Sequence, residues 1–173
     1  ATVHLNPYSL DIKPLNKNSS ISIGGHEKDY FNQWDSVNTG LCYPPMHDGP
    51  ISVENFSLEH NECIYGFGEK FIRLNKTGQT IDLNMSDATG VTTPRSYKNV
   101  PFFVSTKGYG VFFNHSSLMS FWVGSMSACD IQVAVDNNFL DYYVFLGNIK
   151  EVLKNYTTLT GKGILPPKWS FGF

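Results

Sequence analysis

The chain has 173 residues, a formal net charge of −2 and 16% charged residues. That length fits one ordinary domain, able to bury roughly 70% of the surface it exposes when unfolded, so a core can form without staples. The charge balance leaves no basic footprint for nucleic acid, and no apolar run approaches the roughly 20 residues of a membrane helix. With 15 glycines, 9 prolines and 14% aromatics, the composition predicts many turns joining short, bulky strands, and hence an all-β domain.

In chain order, the opening ATVHLNPYSLDIK has no charged-then-apolar signal pattern. Cys42, Cys63 and Cys129 are far apart and form no CxxC pair, which speaks against structural zinc and reads as reduced thiols in a cytoplasmic protein. Against that setting, Asn18, Asn55, Asn75, Asn84, Asn114 and Asn155 each begin an N-x-S/T triplet. These are glycan acceptors only in a secretory pathway, and a chain rich in Asn, Ser and Thr produces such triplets by chance.

SISIGG alternates Ile21 and Ile23 as a strand does. Residues 24–50 show little alternation and read as an extended surface excursion carrying Trp34 and Tyr43. ISVENFSLEH alternates Ile51 and Val53, then Phe56 and Leu58, a slip that predicts a bulge. YGFGEKF contains G-x-G, but Phe71 stands where a dinucleotide fingerprint needs its third glycine. Gly66 and Gly68 are therefore expected to relieve crowding in a strand or bulge. PFFVSTKGYGVFFNH reads as a hairpin turning at Thr106-Lys107-Gly108. DIQVAVDNNFLDYYVFLG reads as a second hairpin, with Ile131, Val133 and Val135 on one arm, a turn at Asp136-Asn137-Asn138, and Leu140, Tyr142 and Val144 returning.

One segment is helical by pattern: Ile149, Val152, Leu153 and Tyr156 fall at spacings of three and four. Asn148 and Glu151 form a capping box and Gly161 supplies the stop. After Pro166-Pro167, KWSFGF reads as an unfinished strand.

Little in the chain carries chemistry by spacing alone. His4, His26, His47, His60 and His115 show no HExxH or i, i+4 pairing, so no metal is expected, and no cofactor motif is present. Glu69, Asp82 and Asp87 are close in sequence. Cleavage of a glycosidic bond needs a carboxylate pair, but sequence proximity does not make one. Asp87, in NMSDATG, also fits an Asx-turn.

Read together, IYGFGEKF, GQTIDLNMSDATG, YKNVPFFVSTKGYGVFFNH, LDYYVFLG and YTTLTGKGILPPKWSFGF occur in one order and spacing. This resembles the N-terminal β-sandwich domain of family 31 glycoside hydrolases, nearest to bacterial α-xylosidases and their α-glucosidase relatives. The likeness is strong from about Ser52 to Phe173 and weaker over the first fifty residues. It implies a galactose-mutarotase-like β-supersandwich over residues 1–163, with one C-terminal helix. Residues 164–173 would then lead into the first strand of a catalytic (β/α)8 barrel.

The resemblance further implies a parent enzyme that hydrolyses terminal α-linked glucosyl or xylosyl residues with retention. Its nucleophile and general acid would be aspartates of the barrel, so none of Glu69, Asp82 or Asp87 is catalytic. Asp87 stands where the family places a sugar-binding aspartate, and Thr89 where some α-glucosidases place a second polar contact. Ser86 departs from the arginine usual in α-xylosidases. The competing readings are a free-standing carbohydrate-binding module using aromatics such as Trp34 or Tyr43, and an oligomerisation domain, since family members are often homo-oligomers.

Overall fold

In a computed structural model, the described residues are 51–87 and 95–172, preceded by the backbone of four strands: β1 (Thr2–Leu5), β2 (Tyr8–Ile12), β3 (Ile21–Gly24) and β4 (Gly40–Cys42). Beyond these come β5 (Ile51–Ser57), β6 (Ile64–Gly68), β7 (Gln79–Leu83), β8 (Asn99–Ser105) and β9 (Tyr109–Phe113). Then follow β10 (Met119–Val123), β11 (Asp130–Val135), β12 (Tyr142–Leu146) and α1 (Ile149–Thr160). One sheet runs β1-β2-β3-β5-β11-β10-β7, with β4 also on β5; the other runs β12-β9-β8-β6. Every pairing among the described strands is antiparallel, and the two sheets face each other as the expected β-sandwich.

Aromatic rings fill the space between them. Phe56 and Phe121 from one sheet, and Phe67, Phe103 and Phe113 from the other, are wholly buried. Phe56 meets Phe103 edge-on at 6.2 Å and Phe113 at 6.1 Å, and Phe67 lies 4.8 Å from Phe121. Such pairs add about 0.5–1.5 kcal/mol each beyond the area they bury.

The hairpin expected at Thr106-Lys107-Gly108 forms, with Ser105 opposite Tyr109 and Gly108 at positive φ. The second expected hairpin does not. β11 is flanked by β10 and β5, so both its edges are taken, and β12 crosses to the other sheet to pair with β9. Tyr142 and Val144 still pack on the same core, from the opposite side. Nor is there a bulge in β5, whose register against β11 is continuous from Ser52↔Val135 to Ser57↔Asp130. Phe56 pairs with Ile131 inside the sandwich, while Val53 pairs with Ala134 on the opposite face. The apolar pattern changes face; the backbone does not slip.

The G-x-G bend falls where expected. The β6–β8 register shifts between Gly66 and Gly68, and both glycines take positive φ. A Cβ at Gly68 would overlap the Lys98 carbonyl oxygen. Two of the N-x-S/T asparagines are committed to the fold. Asn55 is buried, and Asn75 accepts from the Ile64 and Thr77 amides.

α1 carries the full capping box. Its buried row is narrower than the spacing suggests: Val152 is buried, and Tyr156 stacks on Phe102 with centroids 4.0 Å apart, while Ile149 and Leu153 stay exposed. After it, Lys168–Phe171 form a 3-10 turn rather than a strand, with Trp169 and Phe171 exposed. A strand needs a neighbouring edge to satisfy its backbone, and among the described residues none pairs with this segment.

Candidate functional site

The polar loop leaves β7 after Leu83 and re-enters the sandwich at Asn99, the first residue of β8. Its stems are clamped together. Met85 bridges Ser96, and the Ser86 amide donates to the Ser96 carbonyl at 3.3 Å. Ser96 is buried, and its hydroxyl donates to Asn99 Oδ1 at 2.8 Å. Above this clamp Asp87 and Tyr97 stand exposed, and the Tyr97 hydroxyl donates to Asp87 Oδ1. Among the described residues, the Asp87 carboxylate is thus held from across the loop rather than by a neighbouring amide. Thr89 lies outside the described residues, as do Trp34 and Tyr43.

The other two carboxylates of the sequence cluster are engaged elsewhere. Glu69 pairs with Lys98 at 3.0 Å, both largely exposed, an arrangement worth little in water. Asp82 accepts from the Ser120 hydroxyl at 2.7 Å across the β7–β10 pair. Each of the three carboxylates has its own partner, and they do not form a shared acid–base pair. Among the described residues no group of His, Cys, Asp and Glu is arranged to hold a metal.

Beside the loop lies a cleft of ≈ 780 Å³ lined by the β6 bend, Lys70, Phe71, Lys76, Arg95 and Tyr97. Phe71 and Tyr97 present exposed aromatic surface there. Burial pushes the Lys70 and Lys76 ammonium groups down from their ordinary range, and the charge of Asp82 opposes this at Lys70. Lys70 donates to the Asp82 carbonyl and Lys76 to the Arg73 carbonyl, both at 2.7 Å. Sequence reasoning singled out Asp87 but not Tyr97 or Arg95; RSYKN has no periodicity that would mark either.

His115 is tied into the fold. Its Nε2 accepts from the Asp141 amide at 2.7 Å and its ring lies 4.8 Å from Phe139. Burial lowers its pKa, with Asp141 pulling the other way.

The profile of the Glycosyl hydrolase 31 N-terminal galactose mutarotase-like domain matches residues 1–121. The chain belongs to this family. The match starts at the first residue, so it takes in the opening fifty residues, where motif likeness is weak.

This family 31 domain is 43% identical over 129 residues to the alpha-xylosidase XylQ of Lactiplantibacillus pentosus, covering 73% of the chain and 17% of that enzyme. It is 39% identical over 161 residues to an alpha-xylosidase of Emericella nidulans, covering 92% of the chain and 20% of the relative. Among solved structures it matches a family 31 dextranase of Flavobacterium johnsoniae complexed with glucose, at 31% identity and a TM-score of 0.72 over 96% of the chain and 19% of that protein. A cycloalternan-forming enzyme of Listeria monocytogenes in complex with a pentasaccharide substrate matches at 30% identity and a TM-score of 0.64, over 70% and 12%. The chain therefore spans between about an eighth and a fifth of the length of these relatives.

Proposed function

We propose that this domain serves a retaining α-glycosidase of the α-xylosidase or α-glucosidase type as its non-catalytic N-terminal part. In this reading it lends the Asp87 loop, with Thr89, to a sugar site on a catalytic barrel. The observation that carries it is the exposed Asp87 carboxylate, anchored through one oxygen to Tyr97 above a clamped stem. A carboxylate so placed can accept hydrogen bonds from vicinal sugar hydroxyls and reject a ligand that lacks them.

In such an enzyme one carboxylate attacks the anomeric carbon while the other protonates the leaving oxygen, through a covalent glycosyl intermediate. Retention needs the two carboxyl groups about 5–5.5 Å apart. The separate partners of Glu69, Asp82 and Asp87 support a role for this domain in binding rather than bond cleavage. The division at residues 163/164 belongs to the same reading. Ile164, Leu165, Trp169 and Phe171 are 70–91% exposed, the kind of apolar surface that a following domain covers. The free thiols of Cys63 and Cys129 support a reducing, cytoplasmic setting.

The test is Asp87→Ala in the full-length enzyme, assayed with aryl α-xyloside and aryl α-glucoside. The expected outcome is a fall of about 100-fold in kcat/KM on the preferred substrate, the scale of losing a charged hydrogen-bonding partner. Unchanged kcat/KM on both would end the sugar-contact role. The 173-residue chain alone should hydrolyse neither substrate; turnover above a buffer blank would overturn the non-catalytic assignment.

A further inference from the structure

We infer that Tyr97 is a positioning residue for Asp87, fixing the carboxylate so that one oxygen is held by the protein and the other is presented to sugar. The inference rests on the sugar-contact reading of Asp87 and goes a step further, to what orients that contact. A carboxylate on an exposed loop ordinarily rotates among several χ positions and loses that freedom on binding, which weakens affinity. Here the Tyr97 hydroxyl donates to Oδ1, and among the described residues no protein donor is found for Oδ2.

The two side chains come from opposite arms of one loop. Their separation is set below them by the Met85–Ser96 bridge and by the bond from the buried Ser96 to Asn99. Because Ser96 is rigidly placed, Tyr97 inherits a fixed starting point, and a phenol has only two side-chain torsions to order. The side chain is 59% exposed, and the stem is held by main chain and by Ser96 without it. An exposed hydroxyl that restrains the candidate sugar contact is placed for orientation.

The experiment compares Tyr97→Phe, Asp87→Ala and the double variant in the full-length enzyme, with kcat and KM measured separately and thermal unfolding of each. Tyr97→Phe should lower kcat/KM about 10-fold, as expected for one hydrogen bond to a charged group. It should divide that loss between kcat and KM in the same proportion as Asp87→Ala. The double variant should be no worse than Asp87→Ala alone, since a positioning hydroxyl influences the sugar through that carboxylate. The melting temperature of Tyr97→Phe should stay within about 1 °C of the parent, as for a surface change. If Asp87→Ala impairs the enzyme but Tyr97→Phe does not, or if the two losses multiply, the positioning role is overturned while the Asp87 contact stands. If Asp87→Ala itself has no effect, both fall.

Discussion

Two carboxylates of this domain each accept a hydroxyl across the β6–β8 side of the sandwich, and they differ in nearly everything else. Glu62 is 3% exposed, takes the Ser105 hydroxyl on one oxygen, and takes the Glu59 amide at 2.8 Å on the other. Its main-chain carbonyl accepts from Thr77, and the Ser105 oxygen that serves it also caps the Lys107 amide at 2.9 Å. Tyr109 sits buried close by. Burial first, then the charge of Glu62, push its hydroxyl far above the ordinary phenol range. Asp87 is exposed and held by Tyr97 alone among the described residues. The difference teaches how to sort polar contacts by consequence. A buried carboxylate with both oxygens satisfied by the fold belongs to stability, because removing it strands its donors. An exposed one with an oxygen to spare is available to something else.

Three substitutions bear on that contrast. The largest effect is expected at Gly68, which joins the Glu62 corner to the Asp87 rim. Gly68→Ala would drive a Cβ into the Lys98 carbonyl at a backbone φ of 78°. Overpacking and left-handed strain together should cost about 4 kcal/mol in urea unfolding. Next, Glu62→Ala should cost about 3 kcal/mol, since it leaves the Ser105 hydroxyl and the Glu59 amide without their acceptor. The smallest effect belongs to Asp87→Ala, which should shift stability by less than about 0.5 kcal/mol. A loss at Asp87 equal to that at Glu62 would erase the distinction between the two carboxylates. A neutral Glu62→Ala would show that the corner network is ornamental to stability. A silent Gly68→Ala would mean that the bend can relax, and that corner and rim are not rigidly coupled.

What the sequence revealed follows the range of the interactions involved. The hairpin at Gly108, the bend at Gly66–Gly68 and the capping box of α1 are decided by neighbours a few residues apart, and all three can be read directly. The partner of β12 cannot. Tyr142 and Val144 alternate towards the core in the same way whether the strand lies beside β11 or faces it from the opposite sheet. Periodicity names the buried face of a strand; which sheet it joins depends on edges already occupied.

The helix shows a related limit. Four apolar positions satisfy the helical spacing, but only Val152 and Tyr156 meet the sheet, and the width of contact is a property of the partner surface. At the rim, a carboxylate among turn residues marked the loop, and family likeness raised Asp87 above an Asx-turn. Tyr97 remained invisible because it is set beside Asp87 by the pairing of Met85 and Ser86 with Ser96, a contact ten or more positions apart that no local rule predicts.

The crossing from β11 to β12 is one of several. From β5 onward the chain passes to the second sheet at β6, back at β7, across for β8 and β9, back for β10 and β11, and across again at β12. Neither layer is a continuous stretch of polypeptide, so neither can be excised. The sandwich is laced rather than stacked. Pairings such as β5 with β11 join strands far apart in the sequence, and such non-local contacts make folding slow for the chain length. The lacing also means that a nick in any one crossing loosens both layers, and with them the rim that Asp87 stands on.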